Sequence, residues 1–204
     1  DRVLMPLAEE VLTQQPGAAV VYDIKCSWHL TRLIERLGGQ PILWKTGHSL
    51  IKAKMRETGA LLGGEMAGHF VHADDWFGFD DAFYAAARLL RLLTRHGVSS
   101  TEFFAAYPTG LNTPELRLDM AEGEPFAFMA RLTDQADFGT DARIITLDGL
   151  RVEFPHGWGL VRASNTTPSL TLRFEADDPS AMSDIQDRFR RQLLALQQNL
   201  ALPF

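Results

Sequence analysis

A carboxylate and an imidazole stand four residues apart in the run Gly63-Gly64-Glu65-Met66-Ala67-Gly68-His69. A carboxylate accepts hydrogen bonds from hydroxyls, and an imidazole gives or takes a proton near neutral pH. The glycines let backbone approach a ligand closely. This combination suits a polyhydroxyl ligand. It equally suits a metal pair, although two ligands do not make a zinc site. The bland alternative is a turn at the end of a buried strand, since Leu61-Leu62 precede it.

Two further polar clusters follow apolar runs in the same way: Asp23, Lys25 and Cys26, then Lys45, Thr46, Gly47 and His48. Taken singly, the lysines read as solvated side chains and Gly47-His48 as a helix-start turn. Taken together they matter, because ligands of open parallel sheets bind outside the carboxyl ends of the strands. A fourth cluster, Arg162-Ala163-Ser164-Asn165-Thr166-Thr167-Pro168, offers a guanidinium fork, hydroxyls, an amide and turn N–H groups, with no acidic residue in the run. Those are donors for a phosphate. The competing reading is a Ser/Thr-rich turn between strands.

The elements that must hold these clusters come in two textures. The first 106 residues alternate helix and strand patterns: helix over 2–15, strand over 18–24, helix opened by Ser27, strand over 41–44, helix over 49–58 with Leu50, Ile51 and Met55 inward, and strand over 61–65. Such alternation implies a parallel sheet with right-handed crossovers. A long helix opened by Asp80 or Asp81 is apolar nearly all round and is expected to be buried. Residues 107–204 read as α+β. Asp148-Gly149 signals a hairpin, Leu170 to Glu175 alternate as a half-exposed strand, and Asp178-Pro179 start a last helix striped with Met182, Ile185, Phe189, Leu193 and Leu196. The fold class expected is an α/β parallel-sheet domain followed by an α+β domain with an antiparallel sheet and helices on one face.

The chain has 204 residues, 46% of them hydrophobic, with a net charge of -6. That charge argues against a generally basic surface for nucleic acid and leaves room for a local basic pocket. The lone Cys26 allows no internal disulfide and fits a reducing, cytoplasmic setting. No apolar run reaches membrane-span length. The helical pattern starts at once without a cap, which suggests a piece of something longer.

The runs "GEMAGH", "WFGFDDAFYAAARLL" and "WGLVRASNTTPSLTLRFEA", with "YDIKC" and "WKTGHSLIK", resemble the α-D-phosphohexomutase family, in particular its bacterial phosphomannomutase/phosphoglucomutase branch. The resemblance runs the whole chain but covers only the C-terminal half of such an enzyme, its third and fourth domains. It implies an enzyme that interconverts hexose 1-phosphate and hexose 6-phosphate (mannose or glucose) through a bisphosphate intermediate. Sugar hydroxyls would be read by Glu65 and His69, with Ala67 where the family usually carries a Ser hydroxyl. Phosphate would be held by Arg162, Ser164, Asn165 and Thr166. His69, His48 and Lys25 would line the catalytic cleft. Trp28 and His29 replace the family's Arg. The phosphoserine segment Ser-His-Asn-Pro and the Asp-x-Asp-x-Asp magnesium loop are not among these residues. The resemblance therefore assigns magnesium and the phosphoryl group to an N-terminal half of the same enzyme, and no metal to this one. Asp74-Asp75, Asp80-Asp81 and Asp177-Asp178 read as turn or cap residues. A monomer is expected. The alternatives are a non-catalytic sugar-phosphate-binding module and a structural domain with accidental loops.

Overall fold

The computed structural model describes residues 1–204, and the chain divides into two compact units, Asp1–Thr109 and Gly110–Phe204. In the first unit the order is α1 (Leu4–Gln14), β1 (Ala19–Asp23), α2 (Trp28–Arg36), β2 (Gln40–Trp44), α3 (His48–Thr58), β3 (Leu62–Gly64), β4 (Phe70–His72), α4 (Ala82–His96) and α5 (Ser100–Ala105). The sheet runs β2-β1-β3-β4. β1 pairs in parallel with β2 and β3. The short β4 turns back antiparallel on β3, so the sheet is mixed rather than wholly parallel. Three residues, Phe70 to His72, are too few to show a period.

Side chains alternate across a strand, so β1 feeds two cores. Val20 and Tyr22 pack with Leu7 and Val11 of α1 and Leu30 and Ile34 of α2. Ala19 and Val21 pack with Ile51 and Met55 of α3. Leu50, expected inward, is 42% exposed; it follows His48 and Ser49 in the first turn of α3, off the Ile51–Met55 stripe. Gly63 and Gly64 also turn out to serve packing rather than ligand approach. A Cβ on Gly63 would lie 2.4 Å from Met55 Sδ, and one on Gly64 would lie 2.7 Å from Leu4.

Helix α4 is not buried all round. Only Ala85, Arg88 and Leu92 are buried, while Phe83 and Leu90 are 91% and 63% exposed. Its inward face carries a charge. Arg88 donates from Nε to Glu10 at 2.8 Å and from Nη1 to Asp74 at 2.8 Å. Asp74 is thus no mere turn residue. Burial opposes its ionisation, but hydrogen bonds from His72 and Arg88 outweigh this and hold its carboxyl at about 2.

The second unit contains β5 (Leu111–Asn112), β6 (Leu116–Asp119), α6 (Glu124–Gln135), β7 (Arg143–Ile145), β8 (Leu150–Phe154), β9 (Gly157–Ala163), β10 (Ser169–Ala176) and α7 (Pro179–Leu196). Its sheet is antiparallel, ordered β5-β10-β9-β8-β7 with β6 also on β10. α6 and α7 cover one face through Phe128, Leu132, Ile185 and Phe189. β10 is buried along its whole length rather than half exposed. Its polar side chains are engaged: Glu175 accepts from Trp158 Nε1 at 2.7 Å, and Arg173 lies over the Trp158 ring. Asp178 caps α7 by accepting from Ala181 N–H. No helix is long and apolar enough to cross a membrane.

Candidate functional site

The loops after β1, β2 and β3 meet on one buried carboxylate. Asp23, fully buried at the end of β1, accepts from Cys26 Sγ at 3.0 Å and from the Met66 N–H at 3.0 Å on Oδ1, and from Thr46 Oγ1 at 3.1 Å on Oδ2. A buried carboxylate is costly unless its oxygens are filled. Here the filling is done by one donor from each loop, which fixes the three loops relative to each other.

Glu65 adds a second tie. It is 3% exposed, and Oε1 accepts from the backbone N–H of Gly47. Gly47 is the N-cap of α3 at φ 132 and has no side chain with which to cap. The carboxylate therefore does that work from another segment, where the helix dipole favours negative charge. One Glu65 oxygen is committed to the fold, and Oε2 has no protein partner.

His69 closes the same loop, its carbonyl accepting from Glu65 N–H at 2.9 Å while Gly68 turns at φ 93. Its Nδ1 lies 2.6 Å from Asp80 Oδ2. The ring of His48, from the first turn of α3, is 5.5 Å from that of His69. Ala67 is exposed at the loop tip, and Lys25 is buried at 6% exposure rather than solvated. The fold thus brings Lys25, His48, Glu65 and His69 to one sheet edge. Asp23 and Asp80 were missed as organisers. Asp23 could have been found as a carboxylate closing an all-apolar strand; for Asp80 the sequence carries no signal that separates it from its capping neighbour Asp81. No three His, Cys, Asp or Glu side chains converge in a way that could hold a metal.

In the second unit Arg162, next to last in β9, is 6% exposed. The run after it has no acidic residue, but the fold supplies one. Nη2 donates to Asp148 Oδ1 at 3.4 Å, and Nε lies 3.3 Å from Oδ2. The cause is register: Leu150 pairs with Val161, which stands the Asp148-Gly149 turn beside Arg162. Ser164 Oγ accepts from Thr166 N–H and Thr167 N–H, both at 3.3 Å, and so shapes the turn. Asn165 and Thr166 are exposed. The loop and the start of α6 line a cavity of about 350 Å³ that includes Asn165, Thr166, Gly123 and Glu122.

The first unit is thus a mixed α/β unit with three loops tied at the carboxyl edge of its strands, and the second an antiparallel α+β unit with an Arg-Ser/Thr turn. The chain belongs to the phosphoglucomutase/phosphomannomutase family: residues 1–109 match its alpha/beta/alpha domain III and residues 115–192 its C-terminal domain. It is 50% identical over 204 residues to the phosphomannomutase/phosphoglucomutase of Pseudomonas putida, covering 100% of this chain and 44% of that protein. It is 48% identical over 191 residues to a Neisseria gonorrhoeae phosphoglucomutase, covering 93% and 41%. A crystal structure of a family protein from Burkholderia thailandensis superposes with a TM-score of 0.91 at 48% identity, covering 100% of this chain and 43% of that one. The chain therefore spans less than half the length of these relatives.

Proposed function

We propose that this chain supplies the sugar- and phosphate-binding half of a phosphohexomutase that interconverts hexose 1-phosphate and hexose 6-phosphate, mannose and glucose being the candidate sugars. The observation that carries the reading is the fixing of three loops by Asp23, which gathers Lys25, His48, Glu65 and His69 at one sheet edge in a chain of this family. Glu65 Oε2 accepts from sugar hydroxyls. His69 moves a proton at the reacting hydroxyl, and Lys25 and His48 line the cleft beside it. Arg162 pairs with the phosphate, and Asn165, Thr166 and turn N–H groups complete its shell. Ser164 acts by holding the turn. The phosphoserine and the magnesium ion, which offsets phosphoryl charge, belong to an N-terminal half in this reading. The setting is a reducing cytoplasm, and the working unit a monomer.

The test is a titration of the ¹⁵N-labelled chain with mannose 1-phosphate, glucose 1-phosphate and inorganic phosphate. Sugar phosphates should shift amides of 65–69 and 164–167 together. Inorganic phosphate should shift only the latter. Shifts scattered over other surfaces would sink the reading. Loss of all binding in a well-folded sample would do the same.

A further inference from the structure

We infer that Asp80 is a positioning residue which fixes His69 as the Nδ1–H tautomer and so leaves Nε2 as a proton acceptor. The inference rests on the reading of His69 as the proton-handling group of the sugar loop. An ionised carboxylate can only accept, so Nδ1, 2.6 Å from Asp80 Oδ2, must carry the hydrogen. When one imidazole nitrogen is bound in this way, the partner decides which nitrogen is left for chemistry. Nε2 of His69 has no protein partner.

The carboxylate is held there by a brace. Asp80 bridges Val71 of β4 across an antiparallel pair, and Asp81 N–H donates to Phe70 O at 3.3 Å. The Asp81 side chain caps α4 through Tyr84 N–H and accepts from Trp76 Nε1 at 3.2 Å. Trp76 stacks on Tyr84 at 4.3 Å and 8°, and Tyr84 OH donates to Asp75 O at 3.0 Å. These contacts fix residues 75–81 without using the Asp80 side chain. The His69–Asp80 pair itself is partly exposed, with side chains at 48% and 22%. Exposed ion pairs add little to stability. A contact that the brace does not need and that stabilises little is explained by what it does to the imidazole.

The experiment is long-range ¹H–¹⁵N correlation of the ¹⁵N-histidine-labelled chain at a pH where the imidazoles are neutral, with His69 assigned from His69→Gln. Wild type should show His69 as Nδ1–H. Asp80→Ala should return it to the Nε2–H form that an unconstrained histidine prefers in water, with the amide spectrum otherwise unchanged. Nε2–H in wild type would overturn the inference, and needs no variant to fold; so would an unchanged tautomer in Asp80→Ala. Binding of mannose 1-phosphate separates this from the functional reading. Asp80→Ala should weaken it about 2- to 10-fold, and should add nothing in a His69→Ala background. Equal weakening in both backgrounds would show a structural role only. If wild type binds no sugar phosphate yet shows the Nδ1–H form, the functional reading fails while the tautomer assignment stands.

Discussion

The backbone N–H of Gly47 donates to the carboxylate of Glu65, so the loop after β3 caps the helix that follows β2. A residue expected to read sugar hydroxyls is thus also a structural tie. The two roles separate by substitution. Glu65→Ala leaves the Gly47 N–H without its partner and should cost about 1–2 kcal/mol. Glu65→Gln keeps an acceptor oxygen of the same shape and should cost less than half of that. Both should weaken hexose phosphate binding while leaving inorganic phosphate binding intact. Melting curves run beside calorimetry read both quantities, and full hexose phosphate affinity in the Gln variant would remove Glu65 from the sugar site.

Arg162 and Asp148 make opposite predictions for phosphate. A charge-assisted hydrogen bond contributes roughly 1.5–3 kcal/mol, so Arg162→Ala should weaken hexose phosphate binding about 10- to 150-fold. Asp148 contacts Arg162 only at 3.3–3.4 Å and sits where its charge repels an anion. Asp148→Asn keeps the shape and removes the charge, and should tighten phosphate binding by at most about 1 kcal/mol. Weaker binding in Asp148→Asn would mean that the carboxylate positions the guanidinium more than it competes for it.

The Glu10–Arg88–Asp74 network sets an acid limit on the first unit. The Asp74 carboxyl lies at about 2 in the folded chain against 3.8 ordinarily. A lowered folded value means that the contribution is complete above the unfolded value and fades as the pH falls from near 4 towards 2. A tenfold change in proton affinity between the unfolded and folded chain corresponds to about 1.4 kcal/mol, and the lowering at Asp74 thus contributes on the order of 2 kcal/mol. Asp74→Asn should therefore be less stable than wild type at pH 6, with the gap closing as the pH falls through that window. Denaturant unfolding at several pH values measures the gap, and a constant gap would place the stabilisation elsewhere.

Gly63 and Gly68 flank the same loop for different reasons. Gly63→Ala would place a Cβ 2.7 Å from Ile51 Cγ2 inside the core, and overpacking of that kind costs about 1–3 kcal/mol. Gly68→Ala meets open space but keeps φ 93, a backbone strain of about 1–2 kcal/mol. In calorimetric melting Gly63→Ala should lose at least as much stability as Gly68→Ala. Only Gly68→Ala should disturb sugar phosphate binding without disturbing the α3 core.

Much of this was legible in the chain. Alternating helix and strand patterns place the three loops at one edge, and Ser27 and Asp178 cap helices as their types imply. What escaped is what tertiary pairing decides. β4 is too short for a period, and β9 contains glycines at 157 and 159 that sit under Ile185 and Phe189. The polar alternation of β10 misleads because Glu175 is satisfied by Trp158 Nε1 and the Arg173 guanidinium is buried over the same ring. For the proposed site, the residue types at 65, 69 and 162 stand out in the sequence. Their partners Asp80 and Asp148 do not, because an aspartate beside a turn has the same sequence signature whether it caps, turns or steers a neighbour.

Turnover by this chain alone is the remaining prediction. Phosphoryl transfer needs a donor held in line and a cation to offset the developing charge. These 204 residues carry the Glu65–His69 loop and the Arg162 turn proposed above for sugar and phosphate, but no converging set of three or more His, Cys, Asp or Glu side chains. Ala67, Gly68 and His69 are exposed, so a ligand held there stays in contact with water, where electrostatic contacts are weak. Sugar phosphate binding should accordingly be near millimolar, roughly -4 kcal/mol. Conversion of mannose 1-phosphate or glucose 1-phosphate to the 6-phosphate should be undetectable with magnesium and a trace of hexose bisphosphate. It should appear when the N-terminal half of a close relative is added, and disappear again with Arg162→Ala. Conversion by the purified chain without that addition, lost in Arg162→Ala, would show that these two units carry a phosphoryl donor of their own.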